Sequence, residues 1–107
     1  MSHATGMDDA YPTTQFTMTT LKGKPLSVVP GITAACAHAF ERIGFTNALQ
    51  LVGQFLALDR DEELYSAWFT ECFTEHVSAT EHVSSAEAEQ AAQHTYNSIK
   101  AWTDMNL

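Results

Sequence analysis

Basic side chains are scarce. Five lysines and arginines stand against thirteen aspartates and glutamates, a formal charge of −8 at pH 7. A chain of that sign repels nucleic acid and anionic membrane unless a local device opposes the field. Cysteine is nearly missing: Cys36 and Cys72 are the whole supply, both inside helical patterns. That usage fits small core residues in a reducing compartment and excludes a disulfide-stapled scaffold. No apolar run approaches the ~20 residues that a membrane-crossing helix needs, so no direct membrane insertion is expected. The first residues show no basic stretch leading into an apolar one, and no secretory signal is expected. Strand-like alternation and internal repeats are missing as well. What is present is a core: 45% of the residues are hydrophobic, with six Phe and two Trp. In 107 residues that is enough for one domain with one core.

Helical spacing then organises the chain. Residues 1–12 are polar and read as a flexible N-terminal tail, and residues 13–107 as a single helical domain. A short helix is expected around 13–18, anchored by Phe16, and a single helical turn at 26–29 after the breaker "KGKP". Beyond Pro30 and Gly31, the residues Ala35, Cys36, Ala39, Phe40 and Ile43 recur at helical spacing until Gly44. Thr46 is the expected cap of the next helix, with Ala48, Leu51, Val52, Phe55 and Leu56 as its apolar stripe. Asp59 with Glu62 reads as the following cap, ahead of a helix burying Leu64, Trp68, Phe69 and Cys72 or Phe73. Residues 74–83 read as a polar connection. Ser84 and Glu87 have capping-box spacing and open a last helix facing inward through Ala88, Ala91, Ala92, Tyr96, Ile99 and Trp102. The fold class is all-α, with about five short helices.

One stretch points to chemistry. "VPGITAACAHAFERIGF" (29–45) has the form of a helix-hairpin-helix turn. Such a turn exposes backbone N–H groups at the start of its second helix, an anion site that needs no charged side chain. Gly31 permits close approach of a phosphate, but the position two residues on, usually a second glycine, is Thr33. An ordinary proline-glycine corner between two helices accounts for the same residues.

The following segment, "GFTNALQLVGQFLALDRDEELYSAW" (44–68), resembles the barrier-to-autointegration factor family, whose members carry GF, an alanine, GQFL, a charged link, a D-E pair and a tryptophan helix. "KPLSVVPGI" upstream and "IKAWTDMNL" at the C-terminus extend the likeness over residues 16–73 closely and 95–107 loosely. The resemblance implies a small bundle containing a helix-hairpin-helix (SAM-like) element. It implies a dimer rather than an enzyme, without cofactor or metal. It further implies sequence-independent binding of double-stranded DNA, bridging of duplexes, and a groove for LEM-domain proteins of the nuclear envelope. Location would be nuclear, with the cytoplasm as a second compartment. Carried over, Gly31, Ile32, Thr33, Ala34 and Ala35 form the DNA-binding hairpin, while Gly53, Phe55, Leu58, Leu64 and Trp68 form the dimer and partner seam. Plain core packing is the other reading of the last four.

This chain departs from the family where charge matters. His38 and Ala39 stand where members carry lysines, the link before the D-E pair is Asp59-Arg60, and "PTTQFTMTT" carries no charge. Fewer phosphate contacts mean weaker binding and a shallower salt dependence. The expectation is an acidic adaptor with DNA binding weakened or lost, as a homodimer or paired with a basic relative. The alternative is a bridging factor that holds DNA through hairpin amides alone. Cys72, His76, His82 and His94 have no usual zinc-finger spacing, and the acidic residues of 59–63 serve as helix-start caps. The N-terminal threonines are candidate phosphorylation sites whose effect an acidic chain would blunt.

Overall fold

The computed structural model describes residues 12–107, so the expected tail lies almost wholly outside the described residues. Five helices follow one another: α1 (Thr13–Thr17), α2 (Ala34–Arg42), α3 (Ala48–Ala57), α4 (Glu62–His76) and α5 (Ser85–Asn106), with a 3-10 turn at Leu26–Val28 before α2. Each longer helix is started by a side chain that accepts a hydrogen bond from an otherwise unpaired amide. Thr33 Oγ1 accepts from Cys36 N at 3.2 Å. Ser84 Oγ accepts from Glu87 N at 3.1 Å while Glu87 Oε1 accepts from Ser84 N at 3.1 Å, completing the expected capping box. Two caps sit later than expected. Asn47, not Thr46, caps α3, because Gln50 reciprocates by accepting from Asn47 N at 3.1 Å. Asp61, not Asp59, caps α4 by accepting from Leu64 N at 2.9 Å. Asp59 and Arg60 are instead spent on the turn, both with φ of 59°.

The longest helix organises the packing: α5 lies against α1, α3 and α4, and α2 against α4. Phe16 of α1 is fully buried, and Trp102 Nε1 donates to Thr19 O at 2.8 Å, so the short first helix is fastened to the end of α5. All six α5 residues expected inward are buried, joined by Thr95, Ser98 and Thr103, because α5 is covered on several sides.

In α4 the expected inward positions Phe69 and Phe73 are buried, but Tyr65 takes the place expected of Leu64 at the start of the helix. Its buried residues are Tyr65, Phe69 and Phe73, spaced four apart, whereas Leu64 is 54% exposed and Trp68 and Cys72 lie half-buried beside the stripe. A one-residue slip in phase turns a helix by about 100°. Tyr65 wins the inward position because its hydroxyl finds a partner, donating to Leu51 O at 3.3 Å. Leu56 likewise faces outward from α3. The helix also runs to His76, into the connection expected from 74, since no proline or glycine intervenes before Val77.

Candidate nucleic-acid interface and dimer face

Gly31 occupies φ of +104°, which residues with a Cβ rarely adopt, and it lies against α5. A Cβ built there would come within 2.7 Å of Thr95 N and 2.5 Å of Thr95 Oγ1. The glycine is therefore demanded by packing, whatever ligand the turn holds. Ile32 is buried, and its amide is used inside the turn, donating to Val29 O at 3.1 Å. Thr33 and Ala34 are exposed at the mouth of α2, whose first amides have no intrahelical acceptor. A cavity of about 530 Å³ opens there between the two elements. One wall is the hairpin, Gly31 to Ala34; the other is α5, through Glu87, Gln90, Ala91 and His94. Ala35 is half-buried behind this wall and does not line the cavity. The α5 residues recur at i, i+3, i+4 and i+7, one face of the helix. That periodicity is visible in the sequence, but nothing there says that this face meets the hairpin.

Among the described residues no lysine or arginine lines the cavity. His38 is exposed on α2 and points its Nδ1 to Glu81 Oε2 at 3.2 Å, in the connection before α5. Ala39, which the resemblance pairs with a phosphate-contacting lysine, is fully buried in the core. It is a packing residue, and a lysine there would disrupt the fold rather than reach DNA. Asp59 and Arg60 do not line the cavity either.

A family model described as barrier to autointegration factor matches residues 8–106, nearly the whole chain. The chain belongs to the barrier-to-autointegration factor family. It is 33% identical to barrier-to-autointegration factor A of Xenopus laevis over 84 residues, 78% of this chain and 80% of that protein. Barrier-to-autointegration factor B of the same animal is 31% identical over the same shares. At the level of the family, membership means a DNA-binding chromatin adaptor, non-enzymatic, with the helical hairpin fold seen here. Among the described residues no helix is long and apolar enough to cross a membrane.

The GQFL stretch that carries the family likeness places its residues on different sides of α3. Gly53 faces solvent, and a Cβ built on it would meet nothing within 4 Å. Leu49 and Leu56 flank it, 41% and 38% exposed, so positions i, i+4 and i+7 make an uncovered apolar strip. Phe55 points the opposite way and is fully buried, its ring 5.7 Å from both Tyr65 and Tyr96. It can support a seam only from behind. Leu58 is half-buried against the core, and Leu64 is open at the start of α4. Trp68 is half-buried, with its ring 5.4 Å from Phe40 and 5.3 Å from Phe45. Leu49 and Leu56 are exposed apolar residues beside Gly53, where the sequence reading expects Leu56 inward and gives Leu49 no role. Their signal was the spacing around Gly53, which the inward stripe of α3 obscured.

Neither thiol is poised for chemistry. Burial drives the Cys36 thiol far above its usual range, despite the Thr33 contact that opposes this. Cys72 is raised by partial burial first and then by the carboxylates of Glu71 and Glu75. Among the described residues no three His, Cys, Asp or Glu side chains are grouped to hold a metal ion.

Proposed function

We propose that this chain is a dimeric nuclear adaptor of the barrier-to-autointegration factor family in which DNA binding is weakened and protein contact predominates. One observation carries the reading: the hairpin cavity presents a carboxylate, Glu87, and no lysine or arginine among the described residues. Sequence-independent affinity for duplex DNA comes mainly from phosphate neutralisation and counterion release. Hairpin amides alone position a phosphate but release few counterions. The strip of Leu49, Gly53 and Leu56 supports pairing through α3, with a second copy or a basic relative. Leu64 and Trp68, beside the Phe45 ring, would present the groove for LEM-domain proteins. A heterodimer with a basic relative would keep one competent DNA site and lose the bivalency that bridging requires.

The retained hairpin favours a second reading, in which the amides of α2 still hold DNA and the dimer bridges duplexes. A salt titration separates the two. The adaptor reading expects micromolar or weaker affinity at physiological salt and a log–log slope no steeper than about −3. Nanomolar affinity under those conditions, with aggregation of two labelled duplexes, would establish the bridging reading instead.

A further inference from the structure

We infer that Glu87 is an electrostatic gate on the hairpin cavity, the residue that decides whether duplex phosphate enters. The inference rests on the reading that the hairpin is this chain's DNA site. Glu87 stands on the cavity wall opposite Thr33 and Ala34, where a phosphate held by the first amides of α2 would sit. Its position is not free. Glu87 is exposed, but its carboxylate accepts from Ser84 N at 3.1 Å and its own amide donates to Ser84 Oγ, so the capping box fixes where the charge sits at the cavity rim.

Two features raise the influence of this charge. The other polar side chains on the wall are Gln90 and His94, so among the described residues no fixed positive charge offsets the carboxylate there. The field that would draw an anion in comes from the N-terminus of α2, equivalent to about half an elementary charge. Glu87, on the facing wall, sets a full negative charge against that partial positive one. The same capping box that starts α5 therefore closes the anion site of α2. Folding and gating use one side chain.

The substitution that tests this keeps the fold. Gln at the third helical position serves a capping box as Glu does, so Glu87→Gln removes the charge and retains the hydrogen bonds. Glu89→Gln is the matched control: the same net change on an exposed residue of α5 that does not line the cavity. Ala34→Glu tests the site itself, placing a carboxylate on the exposed first residue of α2, a position where helices tolerate acids. Binding of a short fluorescent duplex is measured by anisotropy at low salt, with thermal melts confirming that each variant is folded. Glu87→Gln should bind about tenfold more tightly than the parent, Glu89→Gln within about twofold, and Ala34→Glu not detectably. Equal gains from the two glutamine variants, with Ala34→Glu still abolishing binding, would overturn the gate and leave the hairpin as the DNA site. Unchanged binding by Ala34→Glu would overturn the hairpin reading and the gate with it. If neither the parent nor Glu87→Gln binds at low salt, the gate is overturned, since opening it should have revealed the site.

Discussion

Gly53→Ala separates a monomer from a dimer by the sign of its effect. In the single chain, a Cβ at this position meets nothing within 4 Å among the described residues, so the methyl adds no strain there. Alanine is favoured over glycine in a helix interior by up to about 1 kcal/mol, and Gly53 lies in the middle of α3. A monomer should therefore gain that amount, about 4–8 °C in melting temperature for a domain of this size. If two α3 helices cross at Gly53, the same methyl enters a close contact. Overpacking costs roughly 1–3 kcal/mol per site, and a two-fold axis presents the methyl twice. Even the lower end, about 2 kcal/mol per dimer, weakens association roughly thirtyfold. Sedimentation equilibrium gives the dimer dissociation constant, and melting at several protein concentrations gives the monomer's stability separately. The seam on α3 predicts weaker dimers made of more stable subunits. A variant that melts higher while dimerising like its parent would refute the reasoning and put the interface elsewhere.

The Thr95 hydroxyl is buried without a hydrogen-bond partner among the described residues, so Thr95→Val, of the same shape, should stabilise the chain by about 1 kcal/mol in urea unfolding; a loss of stability would mean that the hydroxyl is satisfied. Stability should also fall in alkali. Burial keeps the Cys36 thiol protonated in the folded chain, while in the unfolded chain it ionises near its ordinary value of 9.0. The unfolded state then binds fewer protons, and stability declines above that pH by up to about 1.4 kcal/mol per unit. Tyr65, also raised by burial first and then by Cys36, adds to the decline at higher pH. Cys36→Ala should remove the thiol's share of the slope, and an unchanged profile would show that the thiol does not contribute.

The start of α5 and its inward face were legible because their signals are local, whereas the caps of α3 and α4 lie one and two residues later than expected. A capping box lies within four residues, and the inward set of α5 keeps its period along the whole helix. The phase of α4 was not legible, because Leu64 and Tyr65 compete for one inward position. Only the tertiary partner, the Leu51 carbonyl, decides for tyrosine. The same limit governs the site. The hairpin can be read from Pro30 and Gly31, but its opposite wall is brought by a helix more than fifty residues later. Reading the charge loss at Ala39 from the family pattern misplaced it, since that residue is in the core. The carboxylate that does line the cavity is Glu87.

The hairpin's persistence in so acidic a chain follows from what Gly31 touches. Its φ of +104° lies outside the region that other residues occupy comfortably, and left-handed backbone costs a residue with a Cβ about 1–2 kcal/mol or more. The methyl of Gly31→Ala would also press on Thr95, and the nearest backbone atom there, 2.7 Å away, cannot be trimmed by mutation. Overpacking of that kind adds roughly 1–3 kcal/mol. The expected loss is therefore about 2–5 kcal/mol, a large share of the 5–15 kcal/mol typical of a whole domain. Adding Thr95→Ala removes the Oγ1 contact at 2.5 Å but leaves the amide, so the double variant should recover little. Urea unfolding of the single and double variants measures both quantities. A loss under about 1 kcal/mol, or full rescue by the double variant, would show that the turn is free to move off α5. On the predicted outcome, folding is sufficient to hold the glycine in place. The loss of every phosphate contact would then leave the shape of the turn intact.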